Sequence, residues 1–244
     1  MKILIAVIAY NEEDNISDVI RDLRDNNFIG YDIIVIDNAS TDNTLEICRN
    51  LKVDVLSHCV NSDINGTWKT YFTYAFQNNY DIVCQFDGDG QHIASELGKL
   101  IKPIIDKKAN QVIGSRFLST EGFKSYAVRR IGIRFFSFLL SLIIGYKIRD
   151  VTSGFIAFDR RIIEFFGKYY KHEINDPNQT HLLSHFSGAK ILEVPVLMRS
   201  RSKGKSLYGF INSFTYPFKG LANILGCLLL KRQILNEWTK KYDS

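Results

Sequence analysis

Several common signatures are missing from these 244 residues, and each absence removes a class of protein. Neither GxGxxG nor GxxxxGK[ST] occurs, so a dinucleotide fingerprint and a P-loop are both excluded. The four cysteines (Cys48, Cys59, Cys84 and Cys227) form no CxxC pair and have no histidine at ligand spacing. They read as buried free thiols of a reducing compartment. No internal repeat or low-complexity linker breaks the chain. Charge of one sign is also scarce, with 31 Lys and Arg against 26 Asp and Glu. The resulting net charge of +5 suits an anionic substrate or a membrane surface and does not call for nucleic acid. What is present, 45% hydrophobic and 23% charged residues, is ordinary for a soluble domain with a sizeable core.

The opening MKILIAVIAYNEE starts like a signal peptide, but its apolar run stops at Tyr10-Asn11-Glu12-Glu13, too early and too polar for a cleavage region. A first buried strand explains it better, and the expected location is cytoplasmic. Similar short runs recur at Ile33–Ile36 and Ile82–Phe86, β-branched and without alternation, as in parallel strands covered on both faces. Between the first two, Ile16, Val19, Ile20 and Leu23 fall on one face of an amphipathic helix. The stretch ASTDNTLEICRNL reads as a second helix, with Ser40 or Thr41 as N-cap. A third helix–strand pair ends at Gln111–Gly114, followed by Ser115-Arg116. Strands alternating with helices make an open α/β sheet, whose ligands sit at the carboxyl ends of the strands.

Polar residues just past those strands are therefore the candidates: Tyr10-Asn11-Glu12, Asp37-Asn38 and Asp87-Gly88-Asp89-Gly90-Gln91. Side chains two apart on an extended chain point the same way, so Asp87 and Asp89 can converge on one cation. Gly88 leaves room for close backbone approach, and Gln91 offers a third oxygen. Hard oxygen ligands of this kind suit Mg²⁺ or Mn²⁺, which would bridge and neutralise a diphosphate. A surface turn is the plainer alternative, since Asp and Gly are common in turns.

Further on, twelve mostly apolar residues, Phe135 to Tyr146, are flanked by Arg129, Arg130, Arg134, Lys147 and Arg149. A spanning helix needs roughly 20, so a core helix or one lying in a membrane interface is expected. Residues 207–244 form a second apolar and basic segment, read as a helical tail with peripheral membrane contact. RSRSKGKS places Arg199, Arg201, Lys203 and Lys205 at alternate positions, which on an extended segment face one side toward a phosphate. His181 and His185, four apart, read as ordinary helix-face histidines, not zinc ligands.

VIAYNEEDNI, IIVIDNASTDNT, VCQFDGDGQH, VIGSRF, DVTSGFIAF and EVPVLMRSRSKGKS occur in this order. Together they resemble the successive motifs of family 2 glycosyltransferases of the GT-A fold, and in particular of the polyprenol-phosphate sugar transferases. The likeness covers 1–206. It implies a mostly parallel open sheet flanked by helices, a UDP- or GDP-sugar donor, and inversion at the sugar. It also implies that Tyr10, Asn11, Glu12 and Asp37 surround the nucleoside while Asp87, Gly88, Asp89 and Gln91 hold metal and diphosphate. Arg201 and Lys205 would close over the donor phosphates, and Arg116 and Arg130 are similar to acceptor-phosphate contacts, although Arg116 has the alternative of pairing with a nearby carboxylate. Three stretches depart from the family pattern. Asn38 stands where a second Asp is frequent, NSDINGTWKTYF replaces a glycine-rich form, and Asn178 and Gln179 occupy places often held by acids. Asp176 is then the nearest carboxylate for a catalytic base, which a saccharide hydroxyl would need. A lipid phosphate, already anionic, would need none. Two rivals are a non-catalytic nucleotide-sugar-binding module and a haloacid-dehalogenase-type phosphatase, which wants its DxD on the first strand.

Overall fold

The computed structural model describes residues 1–27, 29–118, 127–170, 176–200 and 219–232, together with Asn236 and Trp238. Its centre is a seven-stranded sheet of β1 (Ile3–Ala9), β2 (Asp32–Asp37), β3 (Asp54–Ser57), β4 (Ile82–Asp87), β5 (Gln111–Ser115), β6 (Ile156–Asp159) and β7 (Ile191–Pro195). The spatial order is β3-β2-β1-β4-β6-β5-β7. Only β6 runs against its neighbours, β4 and β5; every other pairing is parallel.

Both faces of the sheet are covered, which is why the central strands are largely apolar without clean alternation. On one side Ile5, Val7, Val35 and Phe86 pack against α1 (Ile16–Asp25) and α4 (Leu97–Ile105). Here α1 buries the expected Ile16, Val19, Ile20 and Leu23. On the other side Leu4, Ala6, Ile36 and Val83 meet Trp68, Tyr71 and Phe72 of α3 (Asp63–Gln77), along with the inner stripe of α5 (Ala127–Ile144). Short helices α2 (Thr44–Asn50) and α6 (Arg160–Glu164) and the buried α7 (Pro177–Phe186) complete the described core.

Two local expectations are corrected and a third is refined. Helix α2 begins at Thr44 with Asn43 as N-cap, because Ser40 and Thr41 are already bonded to Asn11 in the preceding turn. Cys59 is exposed, while the other three thiols are buried. The apolar stretch near Phe135 is both core and surface. Phe136, Leu140 and Ile144 point inward, whereas Phe138 and Leu142 are each 70% exposed.

The helix 219–232 docks on this α5 face, where a Cβ added at Gly220 would lie 2.7 Å from the Phe136 ring. Its Ile224 and Cys227 join the core, and Trp238 packs edge-on to Phe165 and donates from Nε1 to the Ser187 carbonyl (3.1 Å). Among the described residues no helix is long and apolar enough to cross a membrane.

One consequence is a pH-sensitive core. His181 on α7 is buried, and its Nδ1 faces Gln111 Nε2 at 2.7 Å. Burial, opposed only in part by the charge of Asp150, lowers its pKa from 6.5 to about 4. Unfolding releases it to titrate normally, so the unfolded chain binds the extra proton between those values and stability drops as pH falls through that window. The loss of Tm between pH 7 and pH 5 should therefore shrink in His181→Asn; equal losses in both proteins would contradict this account.

Candidate active site

Strand register brings the candidate residues to one edge. Ala9 lies opposite Asp37 and Ile8 opposite Asp87, so β1, β2 and β4 all end at the same level. Because β6 is antiparallel to β4, its entry segment, not its exit, reaches that edge and lays Gly154 against Asp87. The chain leaving β7 arrives there too, with Arg199 N–H donating to the Gln91 carbonyl at 2.8 Å.

The first half of the edge is a bonded cradle. Asn11 adopts φ 54°, a left-handed conformation that Asn tolerates. Its N–H donates to Ser40 Oγ (2.9 Å) and its Oδ1 accepts from Thr41 N–H (2.8 Å). Glu12 is buried, with its N–H on Thr44 Oγ1 (2.8 Å) and its Oε2 accepting from Asn15 Nδ2 (2.7 Å). Asp37 is fully buried and accepts from Ser40 N–H (3.2 Å) and Ser57 Oγ (2.7 Å). These side chains knit the loops after β1 and β2 into one unit, with Tyr10 half-buried beside them.

The departure at Asn38 has a structural partner. Its Oδ1 accepts from Ser62 N–H (3.0 Å), and its Nδ2 donates to Asn61 Oδ1 (3.1 Å) and to the Asp63 carbonyl (3.3 Å). An aspartate has no N–H for the last two bonds. Asn38 and the unusual NSDIN loop are thus two halves of one arrangement.

At the end of β4 the acidic turn is shaped by its neighbours. Gly88 N–H donates to the Ile8 carbonyl (2.8 Å), and a Cβ at Gly88 would sit 2.9 Å from that same oxygen. Asp89 Oδ1 accepts from Gln91 N–H (3.0 Å), and Gly90 takes φ +76°. Asp87 Oδ1 accepts from Gln85 Nε2 (3.1 Å), while its N–H donates to His92 Nδ1 (2.9 Å). Burial holds His92 near pKa 4, against the charges of Asp89 and Asp150, so it is neutral at physiological pH.

Two carboxylates in one half-exposed turn form a hard-oxygen donor set that fits Mg²⁺ or Mn²⁺. Gly154 supplies the room, since a Cβ there would fall 3.0 Å from Asp87 Oδ2 and 2.9 Å from Gln85 Nε2. Gln91 turns its Nε2 to the Arg199 carbonyl at 3.5 Å, an arrangement the sequence does not announce.

The remaining candidates are placed as follows. Arg116 grips Asp150 in a buried bidentate pair, Nε–Oδ2 2.7 Å and Nη2–Oδ1 2.6 Å, and also donates to Thr152 Oγ1 (3.0 Å). The carboxylate alternative for Arg116 is the one observed, and the pair ties the end of β5 to the segment entering β6. Asp176 caps α7 through Gln179 N–H (3.0 Å) and accepts from Asn223 Nδ2 (2.6 Å), with burial raising its pKa. Arg199 turns to Asp22 on α1 (3.3 Å), while the other three alternating cations, Lys203 among them, lie outside the described residues. Arg201 and Lys205 lie outside the described residues, as does the side chain of Arg130 on α5. His181 is buried and His185 half-buried; among the described residues no cluster of three His, Cys, Asp or Glu marks a further metal site.

Gly154, Gln85, Ser57 and Asp150 were not singled out from the sequence. A glutamine inside the apolar run IVCQFD was the available signal for one of them. The Gly154 contact yields a prediction. In Gly154→Ala the atoms nearest the added Cβ are the side-chain ends of Asp87 and Gln85 and not backbone, so displacement of the carboxylate is expected to cost activity about 10-fold or more while Tm changes little. An unchanged turnover number would show that Gly154 does not shape the site.

The comparisons agree with this geometry. The glycosyl transferase family 2 model matches residues 4–167. A UDP-N-acetylglucosamine–dolichyl-phosphate N-acetylglucosaminyltransferase of Methanococcus voltae is 31% identical over 183 residues, 66% of this chain and 71% of its own. An undecaprenyl-phosphate mannosyltransferase of Micrococcus luteus is 26% identical over 84% of this chain and 87% of its own. Among solved structures, glucosyl-3-phosphoglycerate synthase of Mycobacterium tuberculosis, crystallised with Mn²⁺, UDP and phosphoglyceric acid, superposes with TM-score 0.69 at 17% identity, covering 92% of this chain and 78% of that one. The phosphatase alternative falls with these matches, and its DxD requirement fails because the acidic turn follows β4. Fold, strand-end chemistry and family match converge on one assignment: the chain belongs to glycosyl transferase family 2.

Proposed function

We propose that this glycosyltransferase moves a sugar from a UDP- or GDP-linked donor to the phosphate of a polyprenyl phosphate, working at the surface of a membrane. The observation that carries the reading is the acidic turn Asp87–Asp89 set at the same level as the Asn11–Asp37 cradle. That spacing suits a nucleoside at the ends of β1 and β2 with its diphosphate reaching β4. Asp87 and Asp89 would hold Mg²⁺ or Mn²⁺, with Gln91 nearby. When bound, the cation would neutralise the diphosphate and favour its departure. Arg201 and Lys205 are assigned to the donor phosphates and Arg130 to the acceptor. Arg116 is assigned an indirect part, holding Asp150 and thereby the wall that carries Gly154.

An acceptor phosphate oxygen attacks the anomeric carbon, forming the new C–O bond as the bond to the donor β-phosphate oxygen breaks. The nucleoside diphosphate leaves with that electron pair, and the sugar is inverted. A lipid phosphate is favoured over a hydroxyl because no proton has to be removed from it. Asp176, the nearest candidate base, has both oxygens bonded, to Gln179 and Asn223. The relatives named for dolichyl and undecaprenyl phosphate support the same choice.

The membrane part of the reading rests on α5 and the helix 219–232. Phe138 and Leu142 are exposed, Leu229 is 84% exposed, and the exposed Arg134, Lys147, Lys219, Lys231 and Arg232 lie on or next to the same two helices in the chain. Apolar side chains with basic neighbours suit an anionic bilayer surface.

Two measurements test the proposal. With Mn²⁺ and a panel of UDP- and GDP-sugars, nucleoside diphosphate release should depend on polyprenyl phosphate, fail with the corresponding polyprenol, and drop about 100-fold or more in Asp89→Asn with unchanged Tm. Release that does not depend on polyprenyl phosphate would contradict the assigned acceptor, and no release from any donor would favour a binding module. Separately, Phe138→Glu with Leu142→Glu should weaken sedimentation with anionic vesicles by about 10-fold or more, each side chain being worth roughly 1.5–3 kcal/mol when buried. Equal sedimentation would remove this face from the contact.

A further inference from the structure

We propose that Gln85 and His92 are positioning residues that hold the Asp87 carboxylate from its two sides, in the orientation a divalent cation requires. The inference rests on the metal-site reading above and names what makes that site rigid. Gln85 stands two residues before Asp87 on β4, on the same face of the sheet, and its Nε2 donates to Asp87 Oδ1 at 3.1 Å. His92 stands five residues after and meets Asp87 twice. Its Nδ1 accepts the Asp87 main-chain N–H at 2.9 Å, which fixes the neutral tautomer with the proton on Nε2. That Nε2 lies 3.5 Å from Asp87 Oδ2.

The ring cannot turn away. It is stacked on Phe155 at 4.5 Å and 15°, and Phe86 meets it edge-on at 5.2 Å and 86°. Phe155 in turn follows Gly154, whose backbone closes the third side of the carboxylate. Asp87 is thereby held at Oδ1 by its own strand and at its N–H by the turn, with the His92 Nε2 facing Oδ2 and the segment entering β6 against its flank.

Gln85 also carries a sign of being kept for something other than stability. It is buried at 3% exposure, and its Oε1 has no hydrogen-bond partner. A buried amide with one end unbonded destabilises a core that a leucine would fill more favourably. The neighbouring inward residue on β4, Val83, is apolar, as that layer demands. The polar exception is the residue that touches Asp87.

Holding a ligand in place before the ion arrives removes the cost of ordering it on binding; partners of this kind change metal affinity about 10- to 100-fold when replaced. The test uses the full chain, Mn²⁺ titrated in the presence of UDP, and Asp87→Ala as the control that removes the ligand itself. Gln85→Leu should keep or raise Tm, yet bind Mn²⁺ about 10-fold or more weakly, with turnover recovering at saturating Mn²⁺. His92→Asn retains an oxygen for the Asp87 N–H, but its shorter amide cannot place an N–H where Nε2 stands beside Oδ2, and it should show the same loss and the same metal rescue. A purely structural pair would move Tm and leave Mn²⁺ affinity unchanged. If Asp87→Ala abolishes Mn²⁺ binding while both variants bind as the wild type does, this inference is overturned and the metal-site reading stands. If the wild type itself takes up no Mn²⁺ with UDP, both fall together.

Discussion

The arrangement everything else depends on is the hydrogen-bonded register between β1, β2 and β4, closed on its far side by an antiparallel β6. Parallel pairing of Ala9 with Asp37 and of Ile8 with Asp87 sets three strand ends at one height. A slip of one residue would turn every side chain to the opposite face and carry the aspartates into the core. The apolar layers on both faces prevent that slip. Leu4, Ala6 and Val83 belong to one layer, Ile5, Cys84 and Phe86 to the other, and neither set tolerates exchange with water. Hydrophobic packing thus acts at a distance on chemistry, by fixing where carboxylates emerge.

The antiparallel strand adds what a fully parallel sheet would lack. Its beginning, not its end, lies at the site, so the segment 149–155 enters as a wall. Asp150 in that wall is tied to Arg116 at the end of β5, and Glu193 of β7 accepts from Asp150 N–H at 2.6 Å. A buried pair of this kind is costly to break once formed, because either partner alone would be an uncompensated charge. The Arg116–Asp150 pair on this side and the Asn38 network on the other leave a sheet edge whose polar groups are set before any ligand arrives.

Much of this was legible in the sequence, and the reasons are physical. β1, β2, β4 and α1 were readable because their burial is local: short, largely apolar runs such as the seven residues of β1, or Ile16, Val19, Ile20 and Leu23 on one helical face. The candidate residues followed because strand-end carboxylates sit next to their strands in the chain. What could not be read depends on partners far apart in sequence. β3 and β6 have only four residues each, and the reversed sense of β6 is decided by contacts between residues more than forty positions apart. Ser57 bonding Asp37 and Gly154 lying on Asp87 leave no mark on the local pattern. The cap of α2 was misplaced for a related reason, since Ser40 and Thr41 had been engaged by Asn11, thirty positions earlier.

The central claim is that a divalent cation and a nucleoside diphosphate meet at the mouth of β4. A crystal structure of the full chain grown with Mn²⁺ and UDP or GDP tests it most directly. The account requires density for an ion bridging the diphosphate to the carboxylates of Asp87 and Asp89, with the nucleoside against Asn11 and Asp37. Nucleotide bound elsewhere, with those two carboxylates turned to solvent and bearing no ion, would contradict it.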